Sequence, residues 1–260
     1  MRKLIDIIND EKADKETIST GFRLLDRLTH GFKKSDLVYI GARPAMGKIT
    51  FAVNLTENIA RSGKKCAFFS LDLSDEQLAK RFSIVNYNMI IYIDDKPITT
   101  VSEMKQKVKD LKGVDCVVID YFGLITPEIK RTDRTQESHD ISRELKRMAK
   151  ELDIPVICNT YLPREVDFDV DKRPKLSSFF HLYSLVQDAD IIMFLYRDSY
   201  YSNIIIDEDD INDQGDINNT ELIIAKNCHG DIGTIELNFD DEAKRFIELG
   251  IFNDYEICYP

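Results

Sequence analysis

The stretch Leu37-Val38-Tyr39-Ile40-Gly41-Ala42-Arg43-Pro44-Ala45-Met46-Gly47-Lys48-Ile49-Thr50 decides the fold. The apolar run Leu37 to Ile40 suits a buried strand. A glycine-containing loop follows, and helical spacing is expected from about Thr50 to Ala60. A phosphate-binding loop needs this context: backbone N–H groups wrap the phosphate, the helix N-terminus faces it, and Lys48 supplies a point charge. Against the pattern G-x-x-x-x-G-K-[ST], the first position is Ala42 and the hydroxyl position is Ile49. Isoleucine has no oxygen to offer Mg2+, which a hydroxyl there normally holds. Thr50 is a poor substitute, because adjacent helix positions point about 100° apart. Ala42, Arg43, Pro44, Ala45, Met46, Gly47, Lys48, Ile49 and Thr50 are therefore the candidate nucleotide-binding residues, with Mg2+-dependent hydrolysis impaired.

The same rhythm continues outward. Cys66 to Leu71, Asp115 to Asp120, Pro155 to Cys158 and Ile191 to Tyr196 are apolar runs that suit buried strands. Helices are expected from Ser74, with Gln77 at the capping-box position, to Phe82, over Val101–Leu111 and over 137–152. The last runs, Glu221–Ala225, Thr234–Asn238 and Arg245–Leu249, read as antiparallel strands. Alternating strands and helices imply an α/β fold: a mostly parallel sheet with helices on both faces and antiparallel strands at the C-terminal edge. Leu4, Ile5, Ile7 and Ile8 suggest a short amphipathic arm over 1–17, followed by one domain over 18–260.

The 260 residues are 43% hydrophobic and 31% charged, with only 11 glycines and 7 prolines, which excludes a disordered or low-complexity chain. The net charge of −11 argues against strong global attraction to nucleic acid or an anionic membrane. No apolar run is long enough to span a bilayer, so a cytoplasmic protein without membrane contact is expected. Cys66, Cys116 and Cys158 lie in or beside strand-like runs and read as reduced core thiols. Cysteines and histidines show no metal-ligand spacing. Asp207–Asp216 reads as a solvated acidic loop. Basic residues from Lys130 to Lys150 are interleaved with acids, as are Arg164, Lys172, Arg173 and Lys175, so single-stranded DNA binding is expected to be weak and salt-sensitive.

Several ordered segments resemble the RecA-like C-terminal motor domain of DnaB-type replicative DNA helicases. They are Ser19-Thr20-Gly21-Phe22-Arg23-Leu24-Leu25-Asp26-Arg27-Leu28, Ala42 to Lys48, Phe69-Ser70-Leu71-Asp72-Leu73-Ser74, Val118-Ile119-Asp120-Tyr121, Gln187-Asp188-Ala189-Asp190 and Phe194 to Asp198. The resemblance runs from about Ile18 to about Leu249. It implies a P-loop NTPase fold, ATP and Mg2+ as cofactors, DNA replication as the setting, and a ring (a hexamer in that family) with ATP between neighbours. It also implies that Asp120 holds Mg2+ through water, that Asp72 positions the attacking water, and that Lys226 reaches a neighbour's phosphate.

Departures from the family cluster at these same positions. Ile49 replaces the hydroxyl residue and Asp72 replaces a glutamate. Tyr161 stands where the family has a glutamine that senses the γ-phosphate. Ser178-Phe179-Phe180-His181-Leu182-Tyr183 replaces a charged D-[LI]-R-E-S-G segment. Cys228 replaces an arginine finger, which is worth roughly 10³–10⁵ in rate where present. The expectation is a helicase motor domain with impaired hydrolysis. The alternative is a non-catalytic paralogue that binds and modulates a homo- or hetero-oligomeric helicase ring or another replisome partner.

Overall fold

The computed structural model describes residues 17–83, 88–202, 219–240 and 242–249. The expected arm, Thr17 apart, and the acidic loop Asp207–Asp216 lie outside the described residues. In chain order the elements are α1 (Arg23–Thr29), β1 (Leu37–Ala42), α2 (Lys48–Arg61), β2 (Lys65–Ser70), α3 (Asp75–Ala79), β3 (Ile90–Asp94), α4 (Val101–Leu111) and β4 (Cys116–Asp120). Then follow α5 (Arg134–Leu152), β5 (Val156–Tyr161), α6 (Tyr183–Asp188), β6 (Ile191–Tyr196), α7 (Asp198–Ser202), β7 (Asn219–Asn227), β8 (Gly233–Asp240) and β9 (Arg245–Glu248).

Among the described residues, nine strands join one sheet in the order β3-β2-β4-β5-β1-β6-β7-β8-β9. The pairs from β3 to β6 are parallel, and β7, β8 and β9 extend the far edge antiparallel. Side-chain alternation along β1 shows why both faces need cover. Val38, Ile40 and Ala42 join the core beneath α2, with Phe51, Leu55 and Ile59. Leu37 and Tyr39 join the opposite core, with Met104, Leu145 and Met148 from α4 and α5. The Tyr39 hydroxyl reaches Ser142 Oγ of α5 at 3.1 Å, so even this buried phenol is partnered. Gly41 is required inside β1, because a Cβ there would lie 2.8 Å from the Phe194 ring.

The helix starts follow their caps. Ser74 and Gln77 form the capping box of α3, and Thr100 with Glu103 forms that of α4. Helix α5 begins at Arg134 rather than 137, because Asp133 Oδ1 accepts from Thr135 N at 2.8 Å. Four elements are additions to the sequence reading: α1, β3 and the short helices α6 and α7. Strand β3 is a half-exposed edge strand beside β2. Helix α1 is only 7 residues long and its N-cap position, Phe22, has no capping side chain. Its cap comes from the other end of the sheet: Glu248 accepts from Arg23 N at 2.9 Å, Leu24 N at 2.7 Å and Leu25 N at 3.3 Å. A carboxylate at a helix N-terminus answers both the orphan donors and the helix dipole.

Buried cysteines 66, 116 and 158 are free thiols, and Cys228 is exposed. Among the described residues, no helix is long and apolar enough to cross a membrane. Replacing Glu248 with alanine is expected to destabilise the fold by about 1–2 kcal/mol. Urea unfolding measures this, with Glu248→Gln intermediate because it retains an acceptor but not the charge.

Candidate nucleotide-binding site

In open α/β sheets, ligands bind beyond the carboxyl ends of the strands, where the strand order reverses. Strand β1 is that point here, since β5 lies on one side of it and β6 on the other. The loop from Arg43 to Gly47 leaves its carboxyl end and turns into α2. Ala45 (φ 64°) and Gly47 (φ 86°) both take left-handed backbone. The first-turn N–H groups of α2 have no intrahelical partner and open toward this loop. Gly47 is tightly constrained: a Cβ there would lie 2.7 Å from Phe246 Cζ of β9. Phe246 is itself fixed by its N–H to Asn54 Oδ1 at 2.8 Å and by an edge-on contact with Phe51.

Lys48, the first residue of α2, is 5% exposed. Its ammonium lies 3.3 Å from Asp120 Oδ1 at the end of β4. Asn159 of β5 donates to the same oxygen at 2.7 Å. That orientation of the amide follows from the chemistry, because the flipped one would set two acceptors together. Asn159 Oδ1 is left buried without a hydrogen-bond partner. Burial pulls the Lys48 ammonium below the usual lysine range, and the neighbouring Asp120 charge opposes that shift. Asp72 is exposed two residues past β2 and acts electrostatically on Lys48, Tyr121 and Tyr161.

The candidate residues divide into distinct groups. Lys48 pairs with Asp120, and Asp72 lies within electrostatic reach of Lys48. Ile49 packs against the core beneath α2, in line with its lack of ligating atoms. Arg43 turns away from the loop: its guanidinium donates to both carboxylate oxygens of Asp167, at 3.1 and 2.8 Å, and to the Leu162 carbonyl at 2.8 Å. Tyr201 adds a hydrogen bond to Asp167 at 2.8 Å. Ala42 is buried at the end of β1, Met46 is buried, and Pro44 and Ala45 are exposed. Thr50 is half-buried on α2, one residue beyond Ile49. Asn159 and Tyr121 are site residues to which the sequence reading gave no role. A lone amide in an otherwise apolar strand was the signal for the first.

Lys226 lies near the opposite, amino-terminal end of β6, and its ammonium donates to the Val186 and Ala189 carbonyls at 2.7 and 2.6 Å. The turn it leads into is tied to the same chain. Asn227 Nδ2 donates to Leu28 O at 3.0 Å, Cys228 N to Asp190 O at 2.9 Å, and His229 Nε2 pairs with Asp36 at 2.8 Å. A Cβ on Gly230 would meet the Leu28 carbonyl at 2.2 Å. Asp36, Asp190 and His229 bring three ligand-type atoms within 4.8 Å of one another. Lys146 already serves Asp190 there, as does the Leu37 N–H at 2.7 Å, so a cation of this chain occupies the acidic cluster.

Replacing Gly47 with alanine is expected to destabilise the fold by about 1–3 kcal/mol, through the left-handed backbone and the Phe246 contact. Thermal unfolding reads this, and adding Phe246→Leu is expected to restore only the contact part.

The model of the DnaB-like helicase C-terminal domain family matches residues 17–89 and 83–248. The chain is 36% identical over 278 residues to the replicative DNA helicase DnaB of Geobacillus stearothermophilus. It is 38% identical over 278 residues to the replicative DNA helicase DnaC of Bacillus subtilis. Each match covers 94% of this chain but only 59% of the relative, so the chain spans about three fifths of their length. Among solved structures, one described as an ATPase domain superposes with a TM-score of 0.81 at 32% identity, covering 95% of this chain and 97% of that one. A DnaB-like replicative helicase, solved in a study of its interactions with primase, superposes with a TM-score of 0.82 at 31% identity, covering 96% and 68%. The sheet is thus the RecA-like sheet of these ATPase domains, and the chain belongs to the DnaB-like helicase C-terminal domain family.

Proposed function

We propose that this chain is the motor domain of a DnaB-type replicative helicase: it binds ATP at the loop 42–50, works on DNA in a ring of like subunits, and hydrolyses ATP poorly when alone. One observation carries this reading. Lys48, Asp120 and Asn159 converge at the carboxyl ends of β1, β4 and β5, while Ile49, partly buried, packs against the core. The anion half of the site fits a nucleoside triphosphate, since first-turn N–H groups and a buried ammonium face the loop. The metal half is thinner. Asp120 and the orphan Asn159 Oδ1 are hard oxygen acceptors of the kind Mg2+ takes, but the hydroxyl position contributes none. Bound Mg2+ would neutralise charge between the outer phosphates. Asp120, with Asn159, would hold and orient it, and Asp72 would orient the attacking water with a side chain one methylene shorter than glutamate. Such a misplacement of about 1 Å loses on the order of a hundredfold in rate.

A second reading has its own support. The turn after β7 carries Cys228 and is pinned to Leu28, Asp36 and Asp190, so it offers no guanidinium to a neighbour. A subunit of that kind joins a ring of intact relatives and modulates it instead of driving it. Interaction with single-stranded DNA is expected to stay weak. Arg131 pairs with Asp140, Arg147 with Glu144, and Arg173 with Glu221 and Asp171, which leaves fewer cations for phosphates.

Titration calorimetry with ATP and Mg2+, paired with phosphate release on the same sample, tests the proposal. Binding with slow release is expected, and Lys48→Ala is expected to weaken binding roughly 10–100-fold, as loss of a hydrogen-bonded charge does. Absence of any ATP binding would overturn the reading. Ile49→Thr is expected to raise Mg2+-dependent release on the order of tenfold or more, because a properly held metal supplies several kcal/mol. Adding an intact family member separates the two readings: rescue of release favours the motor, and inhibition of the partner favours the modulator.

A further inference from the structure

The Lys48 ammonium has neighbours that phosphate binding does not require. Its Nζ lies 3.8 Å from the centre of the Tyr161 ring and 4.8 Å from that of Tyr121. The two rings meet edge to face, with centroids 4.6 Å apart and planes at 80°. Asp120 closes a third side. The enclosure is built into the fold. Tyr161 ends β5, Tyr121 follows β4, and these strands pair in parallel, so both rings emerge at the same edge. Room for the Tyr121 ring depends on a glycine, because a Cβ on Gly123 would lie 2.9 Å from Tyr121 Cε2.

An ammonium over an aromatic face is held by the ring quadrupole, more strongly where water is excluded. Lys48 is such a case. An ammonium has only three donors. Those directed at Asp120 and the two rings are the ones a phosphate in the loop would need.

We propose that Tyr161, backed by Tyr121, gates the phosphate loop: it holds Lys48 in an aromatic box, and a nucleotide phosphate binds only by drawing the ammonium out. This rests on the nucleotide-binding reading above and deepens it. Tyr161 is then a positioning residue that sets affinity by setting how often Lys48 is free, since a binding-competent state populated part of the time lowers apparent affinity by that fraction.

The full chain carrying Tyr161→Leu or Tyr161→Phe tests the gate. ATP with Mg2+ is titrated by calorimetry, and acetylation of Lys48 by an N-hydroxysuccinimide ester is followed by peptide mass spectrometry. Removing the ring is expected to tighten ATP binding about tenfold and to speed Lys48 acetylation. The phenylalanine variant keeps a ring face and is expected to match the parent in both. If the leucine variant unfolds, Tyr161→Met replaces it, which removes the ring without adding a phosphate ligand. Unchanged or weaker binding in the ring-less variant, with the parent binding ATP, overturns the gate and leaves the nucleotide reading intact. Weaker binding in both the leucine and phenylalanine variants assigns the hydroxyl to the phosphate, and the gate fails. Binding by neither parent nor ring-less variant overturns the nucleotide reading and the gate with it. Binding by the ring-less variant alone supports the gate and overturns ATP binding by the parent chain.

Discussion

A lysine ammonium held out of water beside an aspartate sets the terms for the rest of this molecule. Burying two charges is unfavourable unless their geometry is good and their remaining hydrogen-bonding groups are met. Lys48 and Asp120 meet that condition only if β4, β5 and β1 lie side by side in register. Then the end of β4, the Asn159 amide and the first turn of α2 reach one point. The core arrangement serves this alignment. Gly41 leaves no room for a side chain beside Phe194, and Phe246 of β9 clamps α2 at Asn54 and Phe51. Ala45 holds a left-handed backbone that costs a non-glycine residue energy, whereas Gly47 adopts it without strain.

Away from Lys48 and Asp120, two arginines of the described residues are satisfied within the chain. Arg43 and Asp167 form a two-point pair that Tyr201 completes, and Arg173 joins the loop before α6 to β7 through Glu221. Two-point guanidinium–carboxylate pairs fix geometry as well as charge. Large apolar side chains lie outermost in the same loops: Phe168 is 83% and Phe180 79% exposed. Those loops are therefore stiffened from within and apolar at their tips, unlike a surface shaped mainly by attraction to phosphates.

Much of this is legible in the sequence. The sheet interior reads as uninterrupted apolar runs because each central strand is covered on both faces. Ile191–Tyr196 is recovered to the residue for that reason. Ser74 and Gln77 locate α3, since a serine three positions before a glutamine carries its own mechanism, whereas either Thr100 or Ser102 could cap α4 on sequence and the structure selects Thr100. What escaped was decided at long range. Helix α1 has no local cap and owes its first turn to a residue 225 positions away. Arg43 lies inside the phosphate-loop motif, yet its guanidinium is claimed by Asp167, 124 positions on. The enclosure of Lys48 by Tyr121 and Tyr161 needs two strand ends to meet, and no spacing along the chain shows that. Glycines 47, 123 and 230 belong with these, because what forbids a side chain at each is a distant ring, a neighbouring ring or a distant carbonyl.

The contact between Glu248 and the first turn of α1 also bears on how the protein is made. A ribosome releases α1 and the phosphate loop long before it reaches β9. Until then, three N–H groups of α1 lack their acceptor, and Asn54 and Phe51 on α2 lack Phe246. The central parallel strands are able to collect as they emerge, but the loop that faces the nucleotide stays without its outer support until β9 has appeared. Contacts of such wide sequence separation form late and slow folding. Strand β9 thus acts as a seal on α1 and the phosphate loop, and a polypeptide halted before Arg245 leaves that loop unbraced.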